Sequence, residues 1–280
     1  MKCRTGTRSR IVALLALCAA TGLGAAAPAQ ADERFFTYLQ DAEVLPKGAT
    51  EFEQWLTLGR GYPEGDRNYD LYRWDFREEI EHAFTDRLSG SLYLNFSQET
   101  TLARVQGSPD SSKFSFEGVS GELKHRLLNP NTDPVGMALY IEPTFSGADT
   151  ELEYKLIFSK NLGDKWVLAA NLNIEQEWER EEGITKKESV LEYLLGAAYR
   201  FTPNWSVGLE ARQHTVYQGL SLKDPLGTAW FLGPNIHYGS GKWWATFTAL
   251  PQIAGHPADG GLNLTEHQRF EARLITGINF

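Results

Sequence analysis

From Thr50 to the C-terminus, apolar and polar residues alternate with a period of two, and clusters of turn residues interrupt the alternation at regular intervals. The clearest stretch is Tyr69 to Phe84. There Tyr72, Trp74, Phe76, Ile80 and Phe84 share one face, and Arg73, Asp75, Arg77, Glu79 and Glu81 share the other. A strand with one apolar and one charged face suits a wall that separates lipid from water. Segments of this kind fall at 50–59, 69–84, 88–98, 114–128, 135–144, 151–160, 166–179, 189–201, 205–214, 228–238, 243–250 and 264–280. The pattern predicts an all-β fold, a transmembrane antiparallel up-and-down β-barrel of about 12 strands.

The connections support that count. Those after even-numbered segments are short, as at Thr85-Asp86-Arg87 and Thr202-Pro203-Asn204; those after odd-numbered segments are longer and more polar, as at 99–113, 180–188, 215–227 and 251–263, except the brief one after the fifth. Alternating short turns and long loops mark the periplasmic and outer sides of a bacterial barrel, and an even count puts both chain ends in the periplasm. Aromatic placement agrees. Trp166, Trp205 and Trp243 each open a segment just after a short turn, and Tyr199, Tyr238 and Phe280 end segments near the same level, as an interfacial girdle requires. A soluble sandwich or lipocalin-like barrel would also alternate, with its apolar face turned inward. It would have no reason to sort loops by length or tryptophans by level.

Two positions break the pattern. Glu78 falls on the apolar face of the second segment, which predicts an interfacial level, a bulge or a protein contact there. The fourth segment changes phase between Phe116 and Val119, which predicts a bulge at Gly118.

The first 31 residues read as a Sec-type signal peptide: Lys2, Arg4, Arg8 and Arg10, an apolar run from Ile11 to Ala20, and small residues ending in Ala29-Gln30-Ala31. A lipoprotein signal cleaved before Cys18 is the competing reading, and bulky Leu17 argues against it. The expected organisation is therefore a signal at 1–31, a periplasmic N-terminal segment or lumenal plug at 32–49, and the barrel at 50–280, with the protein placed in a Gram-negative outer membrane. Both cysteines, Cys3 and Cys18, lie in the signal, so no disulfide or thiolate site is expected. Removing the four basic signal residues leaves 23 Lys and Arg against 36 Asp and Glu, a net charge of −13 that disfavours nucleic acid as a partner. The expected partners are outer-membrane lipid and lipopolysaccharide, a small solute of unspecified identity, and the barrel-assembly machinery, which would read the alternating C-terminal strand ending in Phe280.

Several blocks resemble a family of uncharacterised proteobacterial outer-membrane proteins: Leu45-Pro46-Lys47-Gly48 with Glu51 to Trp55, Phe114 to Pro143, Glu153 to Glu179, Phe231 to Pro251 with Trp243-Trp244, and Glu266 to Phe280. The resemblance implies a β-barrel and brings no catalytic residues with it.

No motif for chemistry survives inspection. The residues two positions after each histidine are Phe84, Leu127, Val216, Gly239, Ala258 and Arg269, so the His-x-Ser pair of barrel lipid hydrolases is missing. Asp66-x-Asn68-x-Asp70 opens like a calcium loop but has Leu71 and Arg77 where Gly and Glu are needed. Gly239-Ser240-Gly241-Lys242 reads as a hairpin turn. No catalytic residue, cofactor or metal is predicted, and the protein is expected not to be an enzyme. Function should then lie on the inward face, where the register places Arg73, Asp75, Arg77, Glu79, Glu122, Lys124, Glu142, Glu153, Lys155, Glu175, Glu192, Glu210, Arg212, Arg269, Glu271 and Arg273. Such a face predicts a passive channel or transporter for small hydrophilic solutes, neutral or cationic given the acidic excess. Two alternatives stay open: an occluded structural or adhesive barrel whose charges satisfy one another, and a lipid-modifying enzyme assembled across strands.

Overall fold

The computed structural model describes residues 34–280 apart from 148 and 182; the signal peptide assigned to 1–31 lies outside the described residues. Twelve antiparallel strands form one closed barrel: β1 Thr50–Gly61, β2 Tyr69–Thr85, β3 Leu88–Ala103, β4 Ser111–Leu128, β5 Gly136–Ser146, β6 Asp149–Leu162, β7 Trp166–Glu181, β8 Ile184–Arg200, β9 Trp205–Gln218, β10 Pro225–Gly239, β11 Trp243–His256 and β12 Phe270–Asn279. Each strand pairs with its neighbours in sequence, and β12 returns to β1 through Phe52↔Ile278 and Leu58↔Ala272. The Phe280 N–H donates to the Thr50 carbonyl at 2.9 Å and completes the seam, so no edge is left unpaired.

The alternation now has a physical direction. Along β1 the residues Glu51, Glu53, Trp55 and Thr57 are buried inside, while Phe52, Gln54, Leu56 and Leu58 face out. Outward apolar side chains such as Leu92, Leu195, Leu209 and Ile253 are more than half exposed, which is unfavourable in water and favourable in lipid.

The strands run further than the alternation indicates. β7 and β8 pair up to Glu181↔Ile184, leaving two residues where the sequence pattern puts a loop at 180–188. Gln176, Glu179, Lys186 and Glu188 make both faces polar there, so the backbone ladder continues where the polarity signal has ended. The loops after β3 and β9 shorten to 104–110 and 219–224 for the same reason. β12 departs the other way. It begins at Phe270 rather than 264, because residues 263–268 turn into the barrel mouth instead of pairing.

At the phase change in β4, Asn95 pairs with Gly118 and Phe96 with Phe116, leaving Glu117 as the extra residue of a bulge. Gly118 takes φ +98°, and a Cβ there would stand 2.1 Å from the Phe145 carbonyl oxygen, so only glycine fits. Glu78 has no such device. It pairs regularly with Gln54 and Leu94, with no bulge, on the outward face.

Candidate functional site

The candidate site is the lumen, and a segment of the chain itself occupies part of it. Residues 34–49 enter from the short-turn end and run against inward side chains of most of the strands. Ala42 N–H donates to Ser159 Oγ (2.9 Å), Gln40 N–H to Asn171 Oδ1 (2.6 Å), and Thr37 and Tyr38 N–H to the two oxygens of Glu210 (3.1 and 2.9 Å). Asn235 and Arg273 in turn donate to the carbonyls of Phe35 (3.2 Å) and Thr37 (3.1 Å). Arg34 anchors the far end between Glu53 (2.7 Å) and Glu79 (3.3 Å). An irregular segment can be buried this way because strand side chains satisfy its backbone groups.

Apolar contacts supply the rest of its hold. Phe35, Phe36 and Leu39 pack on Val167, Ala169, Leu194 and Ala198, small and apolar residues of the inward face of β7 and β8. Gly196 makes the notch, since a Cβ there would come within 2.7 Å of the Phe36 ring. Ala42 sits with Ala138, Tyr140 and Ile157. Burying side chains of this size is favourable by roughly 1.5–3 kcal/mol each.

Above this plug the charged residues form paired clusters. Arg77 reaches Glu142 (2.5 Å), Lys155 pairs with Glu153 (2.9 Å), and Arg212 bridges Glu192 (2.5 Å) and Glu271 (2.7 Å). Tyr93 donates to Glu79 at 2.8 Å and also contacts Glu122, and Arg73 pairs with Asp75 at 2.7 Å. Glu79, Glu122, Lys124, Glu142 and Glu210 are buried inside, and Arg273 lies 4.3 Å from the Tyr38 ring centroid. Arg269 departs from the lumenal set. It precedes β12, its N–H donates to the Arg60 carbonyl at the loop end, and its side chain is exposed there because the chain has turned into the mouth before it.

One wall is different. Across β5, β6 and β7, Glu142, Glu153 and Glu175 stand directly opposite one another, and Glu151, Glu177 and Glu188 do so across β6, β7 and β8. Among the described residues, Glu151, Glu175, Glu177 and Glu188 have no ion-pair partner. Like charges in direct cross-strand register destabilise a sheet.

The mouth carries a second inserted piece. In the loop between β11 and β12, Asn263, Leu264 and His267 are buried. Gln252 holds this loop by donating to the Asn263 and Gln268 carbonyls, both at 2.9 Å, and accepting from Asn263 N–H at 2.7 Å. His267 Nε2 lies 3.0 Å from His214 Nδ1, and His214 Nε2 lies 3.7 Å from Glu192. Burial, with help from the Arg212 guanidinium, holds the His267 imidazole down to about 4, against an ordinary value of 6.5. The released loop therefore takes up a proton near pH 6.5 and the docked loop only near pH 4. Docking is complete above about pH 6.5 and weakens as pH falls toward 4. Amide exchange of residues 257–268, corrected for the intrinsic pH dependence, should rise across that window in the wild type and stay flat in His267→Gln.

Sequence reasoning missed several of these groups. Trp55 and Trp244 are buried in the lumen with Ile275, and their indole N–H groups donate to Glu53 (2.7 Å) and Glu51 (2.8 Å). Carboxylate oxygens of Glu51, Glu53 and Glu81 lie within 4.8 Å of one another, the closest approach to a metal-ligand set among the described residues, and Arg34 supplies a cation beside it. At the calcium-like stretch, Asp66 accepts from the Asn68 backbone and side chain (2.9 and 2.8 Å) and Asp70 is held by Arg104, so both carboxylates are committed. Ser240 N–H donates to the Trp243 carbonyl at 3.0 Å, closing a hairpin turn.

The aromatic set gathers at the short-turn end. Trp166 lies 4.9 Å from Tyr199, Trp205 4.8 Å from Tyr238 and Tyr238 4.9 Å from Trp243, between ring centroids, and Phe280 is 76% exposed at the same end.

Comparison with known proteins places this architecture. The profile of a family of unknown function (DUF6662) matches residues 28–280. No curated protein sequence matches the chain. Among solved structures, the barrel is similar to the COG4313 outer membrane channel from Pseudomonas putida F1, with a TM-score of 0.63 and 15% identity over 86% of this chain and 98% of that one. It is also similar to the beta domain of the Bordetella autotransporter Brka, with a TM-score of 0.52 and 10% identity over 84% of this chain and 100% of that one. At these identities the likeness is one of fold: a closed twelve-stranded antiparallel barrel, similar to those of outer-membrane channels.

Proposed function

The chain belongs to the DUF6662 family, and from its lumen we propose that it is a plugged outer-membrane channel for small hydrophilic solutes, with a preference for cations over anions. The observation that carries this reading is the row of unpaired carboxylates in like-charge register. A barrel that needed only to be filled would gain stability by replacing Glu151, Glu175 and Glu177, so their retention points to a solute path. Such a wall lowers the energy of a passing cation and raises that of an anion. The plug supplies a closed state. Its contacts are hydrogen bonds, ion pairs and two apolar patches, each separable without breaking a strand ladder. Nothing in this reading requires catalysis, and we take the protein not to be an enzyme.

The filled lumen itself favours a second reading, an occluded structural barrel. Planar-bilayer recording of the refolded protein separates the two. The wild type is expected to give brief, low-conductance openings, and the chain lacking residues 34–47 a steady conductance several times larger. Absence of current from both, with each shown to be folded by heat-modifiable gel migration, leaves the structural reading standing and removes the channel.

A further inference from the structure

Where the wall of β12, β1, β2 and β3 reaches its loop end, the outward face changes from apolar to cationic. Along β1, Phe52, Leu56 and Leu58 give way to Arg60, whose side chain is 47% exposed. Its guanidinium lies 5.4 Å from the Tyr72 ring centroid and 3.7 Å from Asp70 Oδ1. Arg104 grips the same carboxylate from Nε and Nη2, at 2.7 and 2.5 Å, and lies 5.4 Å from the Tyr62 ring centroid. Arg67 stands 6.0 Å from that ring and pairs with Asp259 at 2.5 Å, and the exposed Arg269 bonds to the Arg60 backbone at 2.8 Å. Three guanidiniums, those of Arg60, Arg67 and Arg104, thus meet two carboxylates in one corner of a chain that is acidic overall. Asp70 fixes one edge of Arg104 and draws Arg60 toward it, and both arginine side chains stay close to half exposed, at 45% and 47%. Arg60 and Asp70 share the outward register with Tyr72, Trp74 and Leu58, so the charge sits directly above a membrane-facing apolar surface.

We propose that this corner binds the phosphates of outer-leaflet lipid A, with Arg60 and Arg104 as the phosphate ligands and the acyl chains lying along Leu58, Tyr72 and Trp74. Arginine suits this task because its fork presents parallel N–H groups to a phosphate. The inference rests on the outer-membrane reading and on the loop end facing outward.

The test uses purified wild-type protein in detergent, with binding of bisphosphorylated lipid A followed by native mass spectrometry. The comparison ligands are chemically dephosphorylated lipid A and inorganic phosphate. We expect the double variant R60A/R104A to bind the phosphorylated lipid at least about tenfold more weakly. Lys186→Ala, at the loop end of β8 on another wall, should bind as the wild type does. Dephosphorylated lipid A and inorganic phosphate should both bind poorly. Equal binding by R60A/R104A, equal binding of the dephosphorylated lipid, or inorganic phosphate binding as tightly as lipid A would each overturn the proposal. Heat-modifiable migration confirms that the variants are folded. Surface labelling of Ser108→Cys on intact cells reports the orientation separately, so a wrong orientation is distinguishable from an absent lipid site.

Discussion

Replacing Glu210 with alanine should release the N-terminal segment from the lumen while leaving the barrel intact. Glu210 is 1% exposed and accepts from Thr37 N–H, Tyr38 N–H and the Asn235 side chain, with Thr248 Oγ1 as a further contact. Its loss leaves two plug amides without acceptors in a buried setting, at a cost of about 1–3 kcal/mol each. The ladder hydrogen bonds of β9 do not involve the side chain, so the cost falls on docking rather than on the wall. A loss of about 3 kcal/mol raises the undocked fraction by roughly two orders of magnitude. Trypsin should then cut after Arg34 in the variant and spare that site in the wild type, and single-channel recordings should show long openings. Arg34→Glu is the companion variant. It removes the cation between Glu53 and Glu79 and adds a third carboxylate, and breaking a buried pair in this way costs about 3–5 kcal/mol. If both variants keep a trypsin-resistant plug and wild-type currents, the segment is a fixed part of the core and not a movable closure.

The triple variant E151Q/E175Q/E177Q should change what passes and strengthen the wall. Recorded in the Glu210→Ala background, where the path is open, it should lower the cation-to-anion permeability ratio by about tenfold, because a charged wall in a narrow pore concentrates counter-ions by that order or more. The reversal potential under a potassium chloride gradient measures this. Removing like charges in cross-strand register should also raise the unfolding temperature of the barrel, each relieved pair being worth roughly 0.2–1 kcal/mol. A raised unfolding temperature with an unchanged ratio would mean that the carboxylates do not line the path. Loss of both effects would remove the row as a feature of either kind.

Much of this was legible along the chain because a barrel wall is a local construction. Each strand needs only its own period of two and a turn to its neighbour, so twelve strands and an inward face carrying Arg77, Glu142 and Arg212 follow from short windows of sequence. Even the bulge at Gly118 shows as a change of phase. Failures cluster where the period carries no information. Above the membrane both faces of β7 and β8 are wet, so their pairing to Glu181↔Ile184 leaves no mark in the polarity. Arg269 has the inward phase of β12 but lies outside that strand. One signal stood in plain view. Val167 and Ala169 on β7, with Leu194, Gly196 and Ala198 on β8, make the inward face small and apolar at the turn end, where a water-filled lumen would be polar. Such a stretch indicates that something apolar covers it.

By itself, then, the sequence determined the class of fold, the strand order, the sense in which the wall faces lipid and water, and the aromatic band at the turn end. All four depend on interactions between residues close in sequence or on adjacent strands, and backbone pairing enforces them. Tertiary structure alone decided what fills the lumen. The contacts of Arg34 with Glu79, Tyr38 with Glu210 and His214 with His267 join residues 45, 172 and 53 positions apart through side chains that no periodicity relates. Only the closure of the sheet brings those side chains within reach of one another, and only then do Glu151, Glu175, Glu177 and Glu188 stand out, among the described residues, as carboxylates without an ion-pair partner.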